Sequence, residues 1–229
     1  MDDCTETVIL IHGLWRHGVV LQPYQRWMRA EGFAVRRFSY RSWRDGMAAN
    51  LGALSGFIQK TLGAVIHLVG HSLGGLLALE LLARAHDPRI RRAVLLGTPS
   101  AGSYCGSRIS KTPVLCALLG KTVKDWAGFK DGAEDSVENR FGAKFGATGP
   151  ALSPSVEIGV IAGSRGIGFG RLVPGLPRPN DGLIAVDETF LAEAKDSIVL
   201  AVNHSGMLVS RSCARQVAGF LRCGSFVHG

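Results

Sequence analysis

Gly70-His71-Ser72-Leu73-Gly74, with a further glycine at Gly75, sets a serine between glycines two positions to either side. An apolar run, Ala64–Val69, precedes it and a second, Leu76–Ala85, follows. This is the strand–turn–helix setting in which G-x-S-x-G exposes a serine hydroxyl above a sheet as a nucleophile. The glycines have a physical reason: a turn that tight brings backbones too close for side chains at Gly70 or Gly74. A helix beginning after Ser72 would also aim free N–H groups and its positive dipole end at developing negative charge.

A serine hydroxyl needs a base, and the chain holds seven histidines. His71 sits on the same tight turn and cannot swing back onto Ser72. His67 falls inside an apolar strand, His12 and His17 belong to the loop after the first strand, and His86 ends the helix after the serine. His228 lies near the end of the sequence, where chains fray. His204, in Val202-Asn203-His204-Ser205-Gly206, follows the last strand. It is therefore the candidate base.

A carboxylate between Ser72 and His204 would fix the imidazole tautomer. Asp125, Asp131, Glu134, Asp135 and Glu138 fall in an irregular stretch before the penultimate strand, and Asp187 and Glu188 introduce a helix. Asp196 sits at the wrong end of the last strand. Asp181, in Asn180-Asp181-Gly182, follows the penultimate strand; its plain alternative is an Asp-Gly turn. Asp181 is the candidate acid.

These residues need elements to bring them together. Thr7–Ile11, Phe33–Phe38, Ala64–Val69, Ala93–Leu96, Val156–Ala162 and Ser197–Val202 read as strands. Pro23–Ala30, Gly46–Thr61, Leu76–Ala85, Thr189–Lys195 and Gly206–Leu221 read as helices. Strands without polar alternation, separated by helices, describe a mostly parallel sheet of about six strands covered on both faces, in one α/β domain. Ligands on such sheets bind beyond the strands' C-terminal ends, where the His12, Ser72, Gly97 and His204 segments all emerge. Residues 100–150 interrupt the alternation and read as a small cap or lid excursion.

His12-Gly13-Leu14-Trp15, Gly70–Gly75, Gly97-Thr98-Pro99, Asn180-Asp181-Gly182 and Asn203-His204 recur in order over nearly the whole chain. In these motifs the sequence resembles the bacterial lipase and carboxylesterase branch of the α/β-hydrolase superfamily. The resemblance implies an α/β-hydrolase fold, a Ser72–Asp181–His204 triad and an oxyanion hole built from the backbone N–H groups of Leu14 and Leu73. Trp15, Tyr104, Leu115 and Leu118 are candidate substrate-binding residues. Secreted lipases of this branch often carry a calcium-binding aspartate shortly after the histidine; here Ser205-Gly206-Met207 stand there instead. The expectation is a small carboxylesterase that needs no cofactor and no metal. Alternatives are an acyltransferase or thioesterase with the same triad, or a non-catalytic binding protein of the fold.

Composition narrows the class further. Of 229 residues 46% are hydrophobic and 19% charged, as in a globular protein. No apolar run reaches the ~18 residues of a membrane span. The acidic opening Met1-Asp2-Asp3-Cys4 is unlike a secretory signal, so a cytoplasmic location is expected. Five cysteines without metal-ligand spacing read as reduced thiols. The net charge of +8 arises partly from Arg36, Arg37, Arg41 and Arg44. No nucleic-acid motif accompanies them, so a small-molecule or lipid-like ester partner is expected, with no nucleic acid. A weak association with an anionic membrane surface is retained as an expectation.

Overall fold

The computed structural model describes residues 6–84, 87–111, 116, 119–127, 152–168 and 173–228. Six strands form one sheet: β1 (Thr7–Ile11), β2 (Ala34–Phe38), β3 (Ile66–His71), β4 (Ile90–Leu96), β5 (Glu157–Gly163) and β6 (Asp196–Leu200). Their order is β2-β1-β3-β4-β5-β6 and every pairing is parallel. β1 is almost wholly apolar and every residue of β1 and β3 is buried, because both sheet faces are covered. Ile9 and Ile11 join one core layer while Val8 and Leu10 join the other, following the two-residue period of a strand.

Helices α1 (Gln22–Ala30), α2 (Met47–Gln59) and α3 (Leu73–Arg84) follow the first three strands. α1 buries Tyr24 and Met28, one turn apart, in the same layer as Val8 and Leu10. The last helix lies on that side as well, with Val217, Phe220 and Leu221 buried in the layer. α2 and α3 cover the opposite face through Leu51, Leu54, Leu77 and Leu81. Two short helices, α4 (Tyr104–Ser110) and α5 (Gly120–Trp126), stand within the excursion at 100–150.

Two helical expectations change. Thr189–Lys195 is not a helix; only a 3-10 turn, Asp187–Thr189, forms there. The Ser100 hydroxyl donates to the carbonyls of Thr189 and Phe190, and Lys195 N–H donates to Ile158 O, so those groups are committed elsewhere. The expected single helix over Gly206–Leu221 is two pieces, a 3-10 turn at Gly206–Val209 and helix α6 (Arg211–Cys223). Ser210 divides them: its extended backbone ends the first, and its hydroxyl accepts from Cys213 N–H as the N-cap of the second.

Candidate active site

β3 ends at His71 and α3 begins at Leu73, leaving Ser72 alone on the turn with φ +54°. A non-glycine residue in that region is strained, and Ser72 and Trp15 are the two such residues among those described. The turn is held by Ser72 N–H donating to Leu96 O at 2.9 Å and Ser72 O accepting from Gly75 N–H at 2.9 Å. A Cβ at Gly70 would stand 2.5 Å from Gly75 Cα, and one at Gly74 would stand 2.5 Å from the carbonyl oxygens of Ile11 and His12. The serine turn is therefore wedged against its own helix and against the end of β1.

Leu14 and Leu73 both line the cavity that contains Ser72. The Gly13–Leu14 peptide has a fixed direction. Tyr40 N–H donates to His12 Nε2 at 3.2 Å, so His12 Nδ1–H donates to Gly13 O at 2.8 Å. In a planar trans peptide the Leu14 N–H points opposite to that carbonyl, away from His12. Leu73 is the first residue of α3, where helical amides have no partner within the helix.

Asp181 and His204 meet in loops after β5 and β6. The Asp181 carboxylate is 1% exposed and its Oδ1 accepts from Leu183 N–H at 2.9 Å and Ile184 N–H at 2.7 Å. Oδ2 faces His204 Nδ1 at 2.7 Å, while His204 N–H donates to Asp181 O at 2.8 Å. With Nδ1 committed to Asp181, Nε2 is the ring nitrogen left to act as acceptor. Gly97, with φ +53°, passes close beneath the pair; a Cβ there would stand 3.0 Å from Asp181 Oδ2 and 3.1 Å from His204 Nδ1.

His71, at the end of β3, lines the cavity beside Ser72. It has another contact that the sequence did not signal: Nε2–H donates to the carbonyl of His204 at 2.9 Å. Burial, and then the neighbouring His204, hold the His71 imidazole well below its ordinary pKa, so it remains neutral.

The cavity measures about 520 Å³. Its lining is largely apolar, with Leu76, Ile109, Leu119, Val123 and Trp126, and it also includes Arg16, His17, His204 and Ser205. Trp15 also lines it, 60% exposed. Tyr104 does not: its hydroxyl donates to Pro174 O at 2.9 Å, and its neighbours Ser103 and Cys105 face the cavity instead. Leu115 and Leu118 lie outside the described residues. Burial pushes the Cys105 thiol up to about 12, which removes it as a rival nucleophile. No group of three or more metal-ligating side chains occurs among the described residues.

A parallel sheet with a strained serine turn and a buried Asp–His pair at its C-terminal edge is the architecture of the α/β-hydrolase class. The chain belongs to the α/β-hydrolase family, whose model matches residues 8–194. No curated protein sequence matches it. Among solved structures it is similar to the metagenomic carboxyl esterase MGS0156, at TM-score 0.64 and 16% identity over 89% of this chain and 66% of that one. It is similar to Bacillus licheniformis lipase BlEst2 in its propeptide form, at TM-score 0.65 and 15% identity over 100% of this chain and 52% of that one. A third is Bacillus subtilis carboxylesterase CesB (YbfK), at TM-score 0.56 and 15% identity, covering 97% and 85%. The chain thus spans less than two thirds of the length of the first two. At these identities the likeness is one of fold.

Proposed function

We propose that the protein is a serine carboxylic-ester hydrolase in which Ser72 is the nucleophile, His204 the general base and acid, and Asp181 the residue that orients the imidazole. The reading is carried by the buried 2.7 Å Asp181–His204 contact at a cavity that Ser72 also lines. Two similar structures described as carboxyl esterases add support from the fold.

His204 Nε2 takes the Ser72 proton as Oγ bonds to the ester carbonyl carbon, and the carbonyl π pair moves onto oxygen. The amides of Leu14 and Leu73 donate to that oxyanion, assisted by the positive end of α3. Collapse breaks the bond to the alcohol, which leaves with the proton from Nε2. Water then gives a proton to His204 and attacks the acyl-enzyme; Ser72 departs with that proton and the acid is released. Asp181 keeps its contact with Nδ1 throughout and stabilises the imidazolium. No cofactor enters the scheme.

Ser72→Ala is expected to abolish turnover of p-nitrophenyl esters and labelling by a fluorophosphonate probe. Retention of either by the folded variant overturns the assignment.

A further inference from the structure

Beside the candidate active cavity lies a second hollow of about 310 Å³. The two share Trp15 and Arg16 as a common wall. Its other walls include Arg41, Trp43 and Arg44, so three arginines and two tryptophans line a small volume. None of the three arginines makes an ion pair among the described residues, so no carboxylate there neutralises them. The carboxylate of nearby Asp125 is engaged by Lys121 at 3.0 Å and by Met47 N–H at 3.1 Å. Asp45 follows Arg44 in sequence without pairing to it.

The walls are fixed to the rest of the protein. Trp15 has φ +54°, which an aromatic residue adopts only where its surroundings impose it. Here the Trp15 N–H donates to the Ser42 hydroxyl at 3.1 Å, tying the loop after β1 to the loop after β2. Arg16 donates to the Ser205 hydroxyl at 2.9 Å, beside His204. The Trp43 carbonyl accepts from Lys121 N–H at 2.8 Å, anchoring the far side on α5. Trp15 and Trp43 nevertheless remain 60% and 49% exposed.

We propose that this hollow is a subsite for a phosphate-class anion carried on the alcohol side of the ester substrate. Guanidinium groups match phosphate oxygens with paired N–H donors, and three of them without carboxylate partners suit a doubly charged group. The wall shared by the two hollows gives the substrate a direction. The acyl chain lies toward Leu119, Val123 and Trp126, the carbonyl reaches Ser72, and the alcohol passes Trp15 toward the arginines. The substrate class is then an acyl ester of a phosphorylated polyol. This placement rests on the ester-hydrolase reading of Ser72, while occupancy of the hollow by an anion does not.

Calorimetric titration of the Ser72→Ala protein with glycerol 3-phosphate, against glycerol as control, tests occupancy apart from catalysis. Saturable binding by glycerol 3-phosphate alone is expected, weakened at least tenfold in a protein that also carries Arg41→Gln and Arg44→Gln. In the active enzyme, kcat/KM for hexanoyl glycerol 3-phosphate should exceed that for monohexanoylglycerol at least tenfold. The Arg41→Gln/Arg44→Gln variant, checked for an unchanged melting temperature, should bring that ratio toward one, chiefly through KM. Arg44→Lys should fall between. Sedimentation with phosphatidylglycerol–phosphatidylcholine vesicles separates the sources of the phosphate. Co-sedimentation lost in the double variant assigns a lipid headgroup, and its absence beside an intact ratio assigns a free phosphate ester. Absent binding, a ratio at or below one, or a ratio untouched by the double substitution overturns the subsite. Intact binding with neither ester hydrolysed overturns the hydrolase reading instead and leaves the anion site standing.

Discussion

Asp181 holds His204 by two different contacts, a side-chain bond to Nδ1 and a backbone bond to its amide. Replacing the carboxylate by an amide preserves shape while removing the charge that favours an imidazolium. Asp181→Asn is therefore expected to lower kcat on a p-nitrophenyl ester by about 10⁴-fold. Asp187→Asn, at an exposed position in the 3-10 turn, should leave it within a factor of two or so of wild type, since surface changes of this kind are worth about 0.5 kcal/mol or less. The reverse outcome in steady-state kinetics would move the acid to Asp187. Both aspartates lie between β5 and β6, and what separated them in the sequence was the reading of Asp187 as the start of a helix, where an acidic residue has a capping role.

At the scale of elements, α3 can start directly beneath Ser72 only because glycines remove the intervening side chains. Gly74→Ala would drive a methyl group into the carbonyls of Ile11 and His12, which are backbone and cannot rotate away. The expected cost is about 1–3 kcal/mol in urea denaturation, together with slower fluorophosphonate labelling. Unchanged stability would mean that the turn is looser than its contacts imply. The sequence made this element legible because glycine spacing and flanking apolar runs carry the turn between them. It misread 189–195 because Thr189-Phe190-Leu191-Ala192-Glu193-Ala194-Lys195 is locally suited to helix. The decisive groups, Ser100 and Ile158, lie far away in the chain. The hollow around Arg41 and Arg44 was hidden for a similar reason. A run of arginines reads as a solvated face until Trp15 is seen to close against it.

At the scale of the whole fold, three histidines among the described residues are buried where their charged form is disfavoured. His12, His67 and His71 each lie below the ordinary imidazole value of 6.5, with burial the largest cause in every case. On acidification below about pH 6.5 the unfolded chain binds protons at these positions that the folded chain refuses, so stability must fall as pH falls. The slope can reach about 1.4 kcal/mol per pH unit for each histidine. Glu188, raised by burial, works in the opposite direction as a single group, while Glu157 and Asp196 are lowered and titrate at more acidic pH. The melting temperature should therefore drop between about pH 6.5 and pH 5.5; a flat or rising profile contradicts this balance.

The Asp–His unit depends on β6, an edge strand that pairs with β5 alone, and on the loop that leaves it. Strands β1, β3 and β4 and the serine turn come from the first hundred residues, whereas His204 comes from the last thirty. On the ribosome, Ser72 would be translated more than a hundred residues before His204, its base on the proposed reading. A nascent chain halted before β6 should carry an unactivated serine. Reactivity toward the fluorophosphonate probe would thus mark the completed chain, switched on when the last strand docks at the sheet edge.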